Sequence, residues 1–85
     1  MSSSKKSWVV YLLECRDGTY YCGITNDLDK RMKDHNDGKG AKYTRSRRPF
    51  RLIGAIPMPD KAAAAKLEYF VKQKTKKEKR KIFQN

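Results

Sequence analysis

The chain has 85 residues, enough for one small domain and too few for a second. Its 38% hydrophobic content supports a folded core, while 21 Lys and Arg against 9 Asp and Glu give a net charge of +12 and a pI near 10.0. No segment approaches a transmembrane helix, no long apolar run opens the chain, and two cysteines, Cys15 and Cys22, cannot build a disulfide scaffold or a four-thiolate zinc site.

A basic domain of this size meets a polyanion, and nucleic acid ranks ahead of a membrane surface. The default location is intracellular and cytoplasmic. Residues 1–6 read as flexible, and a single ordered core spans about 8–82 of the 1–85 chain.

Residues 8–15 and 19–25 are rich in β-branched, aromatic and apolar side chains, with Arg16-Asp17-Gly18 between them. Two such runs around Asp-Gly make a β-hairpin. A two-residue turn would put Tyr11 and Tyr21 on opposite faces. A type I turn over Cys15–Gly18, with Gly18 left-handed as a G1 bulge, pairs Leu13 with Tyr21 and puts both tyrosines on one face. The second register is preferred.

Thr25-Asn26-Asp27 is a capping cluster that opens a helix to about Asn36, with Leu28, Arg31, Met32 and His35 along one stripe. A Gly-rich basic loop covers residues 38–49. Phe50 to about Met58 reads as a third strand. Asp60 caps a helix to about Lys74, with Ala63, Ala64, Leu67, Phe70 and Val71 as its apolar stripe. Lys76 to Phe83 is a further basic helical segment. The order is β-β-α-β-α-α, which specifies an α+β fold with a small three-stranded sheet flanked by helices.

Three short patterns then fall into one order. Val9-Val10-Tyr11 is followed after nine residues by Tyr21-Cys22-Gly23. Gly23 to Leu28 leads to Arg31 and His35, and Glu68 lies on the later helix. Together with the run from Gly38 to Pro49, this resembles the GIY-YIG nuclease superfamily, and most closely its short stand-alone bacterial members. The resemblance covers residues 8–82. Val9 and Val10 stand where the family signature has Gly and Ile, and Cys22 replaces a second Ile; these are strand packing positions. Some family nucleases carry an asparagine beyond the glutamate, and here only Asn85 follows.

The resemblance implies a metal-dependent endonuclease, cutting phosphodiester bonds in DNA ahead of RNA, at structured or damaged features. Tyr11 would be the general base, Tyr21 a phosphate or water contact, and Arg31 the clamp on a phosphoryl oxygen. His35 would contact phosphate or protonate the leaving group, and Gly23 would give close backbone approach. Glu68 would bind Mg²⁺, with Mn²⁺ as a substitute and no zinc expected. Each residue also has a plainer role. The tyrosines can be core residues with their hydroxyls at the rim. Arg31 can pair with Asp27, His35 can cap its helix, Gly23 can be a bulge, and Glu68 can pair with Lys72 one turn on.

No cluster of carboxylates suggests a two-metal site. Lys39, Lys42, Arg45, Arg47 and Arg48 read as a phosphate-tracking patch, with Tyr43 as a stacking platform. The run from Lys72 to Lys81 is a second basic patch or a solvated helix face. The rival reading is a non-catalytic nucleic-acid-binding module on the same fold. A separate protein partner could supply targeting in either case.

Overall fold

The computed structural model describes residues 7–38 and 49–84. Within them the order is β1 (Trp8–Glu14), β2 (Tyr20–Thr25), α1 (Leu28–Asn36), β3 (Arg51–Met58), α2 (Lys61–Lys72) and α3 (Lys76–Phe83). This is the expected α+β arrangement. The predicted loop residues Lys39, Lys42, Tyr43, Arg45, Arg47 and Arg48 lie outside the described residues, as do residues 1–6.

The sheet order is β2-β1-β3, and both pairings are antiparallel. β1 is therefore the central strand, with both faces covered. A strand in that position reads as a continuous apolar run rather than an alternation. Val10, Tyr11, Leu12 and Leu13 are accordingly all buried.

The hairpin takes the bulged register. Gly18 donates its N–H to the Cys15 carbonyl at 2.9 Å, Cys15 donates to the Thr19 carbonyl at 2.8 Å, and Gly18 has φ +86°. Asp17 Oδ1 accepts from both the Thr19 amide (3.1 Å) and hydroxyl (2.6 Å), which fixes the turn. Leu13 faces Tyr21, and Tyr11 faces Gly23.

Side chains alternate across the sheet and divide the core in two. On one face Tyr11, Leu13, Cys15 and Phe50 pack with Tyr21, Leu28, Met32 and Ala55. On the other, Val10, Leu12 and Cys22 pack against Ala64, Leu67 and Val71 of α2 and Ile82 and Phe83 of α3. Both cysteines are free and buried. Tyr20 belongs to the second face, where its hydroxyl accepts from Arg80 at 3.3 Å.

Each helix has a side-chain cap. Asp27 accepts from the Lys30 amide and Asp60 from the Ala63 amide. Thr75 and Glu78 form a reciprocal capping box. One expectation needs correction. Phe70 does not join the buried stripe of α2, which consists of Ala64 and Val71 with Leu67 partly buried. Phe70 is 50% exposed because its side of the helix turns toward α3 and solvent rather than the sheet.

Candidate active site

The face that carries α1 collects Tyr11, Tyr21, Gly23, Arg31 and His35. Strand alternation delivers Tyr11, Tyr21 and Gly23 to that face, and helical spacing adds Arg31 and His35 one turn apart. The Tyr11 and Tyr21 rings have centroids 6.3 Å apart, and the His35 ring lies 5.4 Å from that of Tyr21. The Tyr11 hydroxyl and His35 Nε2 are hydrogen-bonded at 3.0 Å. Both residues are fully buried, Tyr11 at 1% and His35 at 0% exposure.

The Arg31 guanidinium lies near the same hydroxyl, where its charge favours the phenolate. A guanidinium can only donate, so from there it can meet only a lone pair of the Tyr11 oxygen. The single Tyr11 hydrogen is then free for His35 Nε2. That direction fits a neutral His35 with its proton on Nδ1, the tautomer that leaves Nε2 to accept. Burial, with Arg31 nearby, holds the His35 imidazole below its ordinary range, which agrees with that assignment.

Tyr11 is pushed up to about 12, chiefly by burial, and the opposing pull of Arg31 is smaller. At neutral pH, Tyr11 is therefore a phenol, ionised to about one part in 10⁵. It cannot wait as a ready-made phenolate. It can take a proton only as it gives its own away.

Gly23 is not a bulge, since the β1–β2 register runs through it without a break. Its role is space. A Cβ at this position would stand 2.6 Å from the Tyr11 hydroxyl and 2.7 Å from Cζ. Tyr11 is locked by its neighbours and cannot retreat. Gly23→Ala should therefore destabilise the fold by about 1–3 kcal/mol, the usual range for overpacking, read as a lower urea midpoint with an unchanged slope.

Phe50 completes the cluster and was not singled out from the sequence. Its ring meets His35 edge-on at 5.6 Å, and its amide donates to Asn36 Oδ1 at 2.9 Å. The only sequence signal for it is an aromatic residue opening the third strand.

The cluster predicts a pH-dependent stability. His35 has a depressed pKa in the folded state, so folding favours its neutral form. That stabilisation is complete above the unfolded value, about 6.5, and is lost as pH falls through the folded value below it. His35→Gln should flatten the acid side of a melting-temperature profile. An equally steep loss in the variant would assign the effect to other groups.

Glu68 stands apart from this cluster. α2 covers the opposite face of the sheet, where the Glu68 charge helps to raise the Cys22 thiol to about 11, behind burial. The Lys72 ammonium lies 3.3 Å from Glu68 Oε2, one helical turn on. Among the described residues, no three His, Cys, Asp or Glu side chains converge on a metal position. Glu68 is a single hard oxygen donor, 23% exposed, whose present counter-ion is a lysine. That fits Mg²⁺ held by one carboxylate, with water and phosphate completing the shell. It does not fit an ion enclosed by protein alone.

Among the described residues, no helix is long and apolar enough to cross a membrane. Residues 7–81 match the GIY-YIG catalytic domain family. UPF0213 protein BH0048 of Halalkalibacterium halodurans is 49% identical over 73 residues, 86% of this chain and 78% of that protein. UPF0213 protein YazA of Bacillus subtilis is 52% identical over 69 residues, 81% of this chain and 70% of that one. Two solution structures are similar. That of BH0048 from Bacillus halodurans has a TM-score of 0.56 at 47% identity, covering 89% of this chain and 81% of that one. That of EF2693 from E. faecalis has a TM-score of 0.61 at 35% identity, covering 96% and 88%. With its hairpin tyrosines, the arginine and histidine of its first helix and a match along nearly its whole length, this chain belongs to the GIY-YIG family and has its nuclease fold.

Proposed function

We propose that this chain is a metal-dependent endonuclease that hydrolyses phosphodiester bonds, with DNA as the preferred substrate. The observation that carries the reading is the Tyr11–His35 hydrogen bond, with the Arg31 charge beside the same oxygen. Tyr11 receives a proton from the attacking water as its own proton passes to His35 Nε2. The phenol thus acts as a relay, and His35 is the final acceptor. As the water oxygen bonds phosphorus, the bond from phosphorus to the leaving oxygen breaks, and that oxygen takes a proton from solvent. Arg31 has donors beyond the one turned to Tyr11, and these grip a phosphoryl oxygen as charge develops on it. Tyr21, partly exposed at the mouth of the cluster, orients the phosphate.

When bound, Mg²⁺ supplies Lewis-acid stabilisation of phosphate charge, and Glu68 would hold it. Glu68 and Tyr11 belong to opposite faces, yet β2 is an edge strand, and its adjacent residues Cys22 and Gly23 face Glu68 and Tyr11 respectively. A phosphate lying along that edge is near both, and it reaches the Tyr11 hydroxyl once the buried cluster opens.

A second reading has a specific observation behind it. Tyr11 is closed off at 1% exposure, and Glu68 already has a lysine partner. Both facts suit a module that binds nucleic acid and has lost cleavage.

One experiment separates the two. Labelled linear, flapped and branched DNAs, and RNA, are incubated with the protein in Mg²⁺, Mn²⁺ or EDTA. The nuclease reading expects cleavage with metal that EDTA and Tyr11→Phe both abolish. Salt-sensitive binding with every substrate intact under both metals selects the binding module.

A further inference from the structure

The sheet face opposite Tyr11 carries a feature that the nuclease reading leaves unused. Between α2 and α3 runs a groove of about 430 Å³, lined by Phe70, Lys74, Glu78, Lys81 and Ile82. Its wall is an aromatic ring with 50% of Phe70 in solvent, and Tyr69 beside it is 72% exposed. Lys74 Nζ sits 4.3 Å from the Phe70 ring centroid. A second groove of about 310 Å³, lined by Lys77, Arg80, Lys81 and Gln84, continues along α3 and shares Lys81 with the first.

The charge on this surface is mostly positive. Glu78 is the one acidic residue in either groove, and hydrogen bonds from the Thr75 amide and hydroxyl engage its carboxylate. Lys74, Lys77 and Lys81 are the cations left to face an outside anion, since Arg80 donates to Gln84 and Tyr20. Two large aromatic residues exposed next to each other are unusual on a domain with so small a core. Cations interleaved with exposed rings match a ligand that alternates flat bases with phosphates. An acidic peptide would satisfy the lysines but bring no ring for Phe70. A paired base hides its faces in the helix stack and could not enter.

We infer that the α2–α3 groove binds a single-stranded segment of nucleic acid. One base displaces the Lys74 ammonium from the Phe70 ring and stacks in its place, and the following phosphates run past Lys74, Lys81 and Lys77. This rests on the nucleic-acid reading of the chain and deepens it. A strand held here lies across the sheet from Tyr11. The substrate then has a single-stranded arm on one side of the protein and the scissile bond on the other.

The test measures binding rather than cleavage. Fluorescence anisotropy is recorded for the full chain with a labelled oligothymidylate and with a blunt duplex of equal length. Phe70→Ala should weaken oligothymidylate binding by about tenfold and duplex binding by less than about twofold. Phe70→Tyr should keep the parent affinity. Lys74→Gln with Lys81→Gln should lower the salt slope of single-strand binding by about 1.4, two phosphate contacts' worth. Thermal melts by circular dichroism check that the variants fold, which half-exposed Phe70 makes straightforward.

Three results overturn the inference. In one, Phe70→Ala leaves single-strand affinity intact. In another, it weakens duplex binding as much. In the third, polyglutamate displaces the protein as well as oligothymidylate does, which assigns the groove to an acidic polypeptide. A parent that binds oligothymidylate through Phe70 but cleaves nothing removes the nuclease reading and supports the groove.

Discussion

Arg31→Ala is expected to lower the single-turnover cleavage rate by about hundredfold or more, the usual consequence of removing one preorganised donor from a site of developing charge. Two losses combine. The phosphoryl oxygen loses its clamp, and the Tyr11 oxygen loses the donor that favours its anionic form. Duplex affinity should fall far less, because a single phosphate contact is a small part of what 21 basic residues offer. The same variant has a readout that needs no activity. Arg31 helps to hold the His35 imidazole low, so its removal should raise the His35 pKa toward the ordinary value, visible in the imidazole NMR titration. Arg31→Lys separates charge from geometry. It should leave the His35 titration near that of the parent and still lose most of the rate, because an ammonium lacks the planar fork. An unmoved His35 titration in Arg31→Ala would show that the two groups do not communicate as described.

Glu68→Gln should raise the Mg²⁺ concentration for half-maximal cleavage by about tenfold or more. One charge at contact distance contributes about 1 to 4 kcal/mol between water-like and protein-like screening, and this carboxylate lies between those limits. High metal should therefore restore much of the rate, unlike the loss in Arg31→Ala. The fold should hardly change, since the Lys72 pair is half-exposed and such pairs contribute little. Lys72→Gln tests the competition directly. Freed of its lysine, Glu68 should take the metal more readily, and half-saturation should move to lower Mg²⁺. A titration identical in all three proteins would remove Glu68 from metal binding.

The hairpin and the helix starts were legible in the sequence because short-range chemistry decides them. Asp17-Gly18 can form its bulged turn in only one register, and that register puts Tyr11 and Tyr21 together. Asp27 and Asp60 supply the capping oxygen at their helix starts. Arg31 and His35 were legible as a stripe because helical spacing alone sets which residues share a face. What remained hidden depends on long-range packing. Phe70 fits the apolar stripe of α2 by spacing, and only the position of α3 shows that it faces outward. Which face of the sheet α2 covers follows from the path of the chain after β3, and that path separates Glu68 from Tyr11. The contact of Gly23 with the Tyr11 oxygen depends on a side-chain rotamer, and no residue pattern encodes it.

The central position of β1 has a consequence for exchange with solvent deuterium. Its residues pair with β2 on one side and β3 on the other, with one break in register on the β3 side between Leu12 and Leu13. Opening either edge alone leaves the other half of its pairing intact. The amides of Val10, Tyr11, Leu12 and Leu13 should exchange only through global unfolding, and their protection should report the full stability of the domain. Among the described residues, amides of Tyr20 to Thr25 that point away from β1 have no ladder partner, and they should exchange by local fraying. The strand that carries Tyr11 is thus the last to loosen, while the edge beside it can breathe without disturbing the tyrosine.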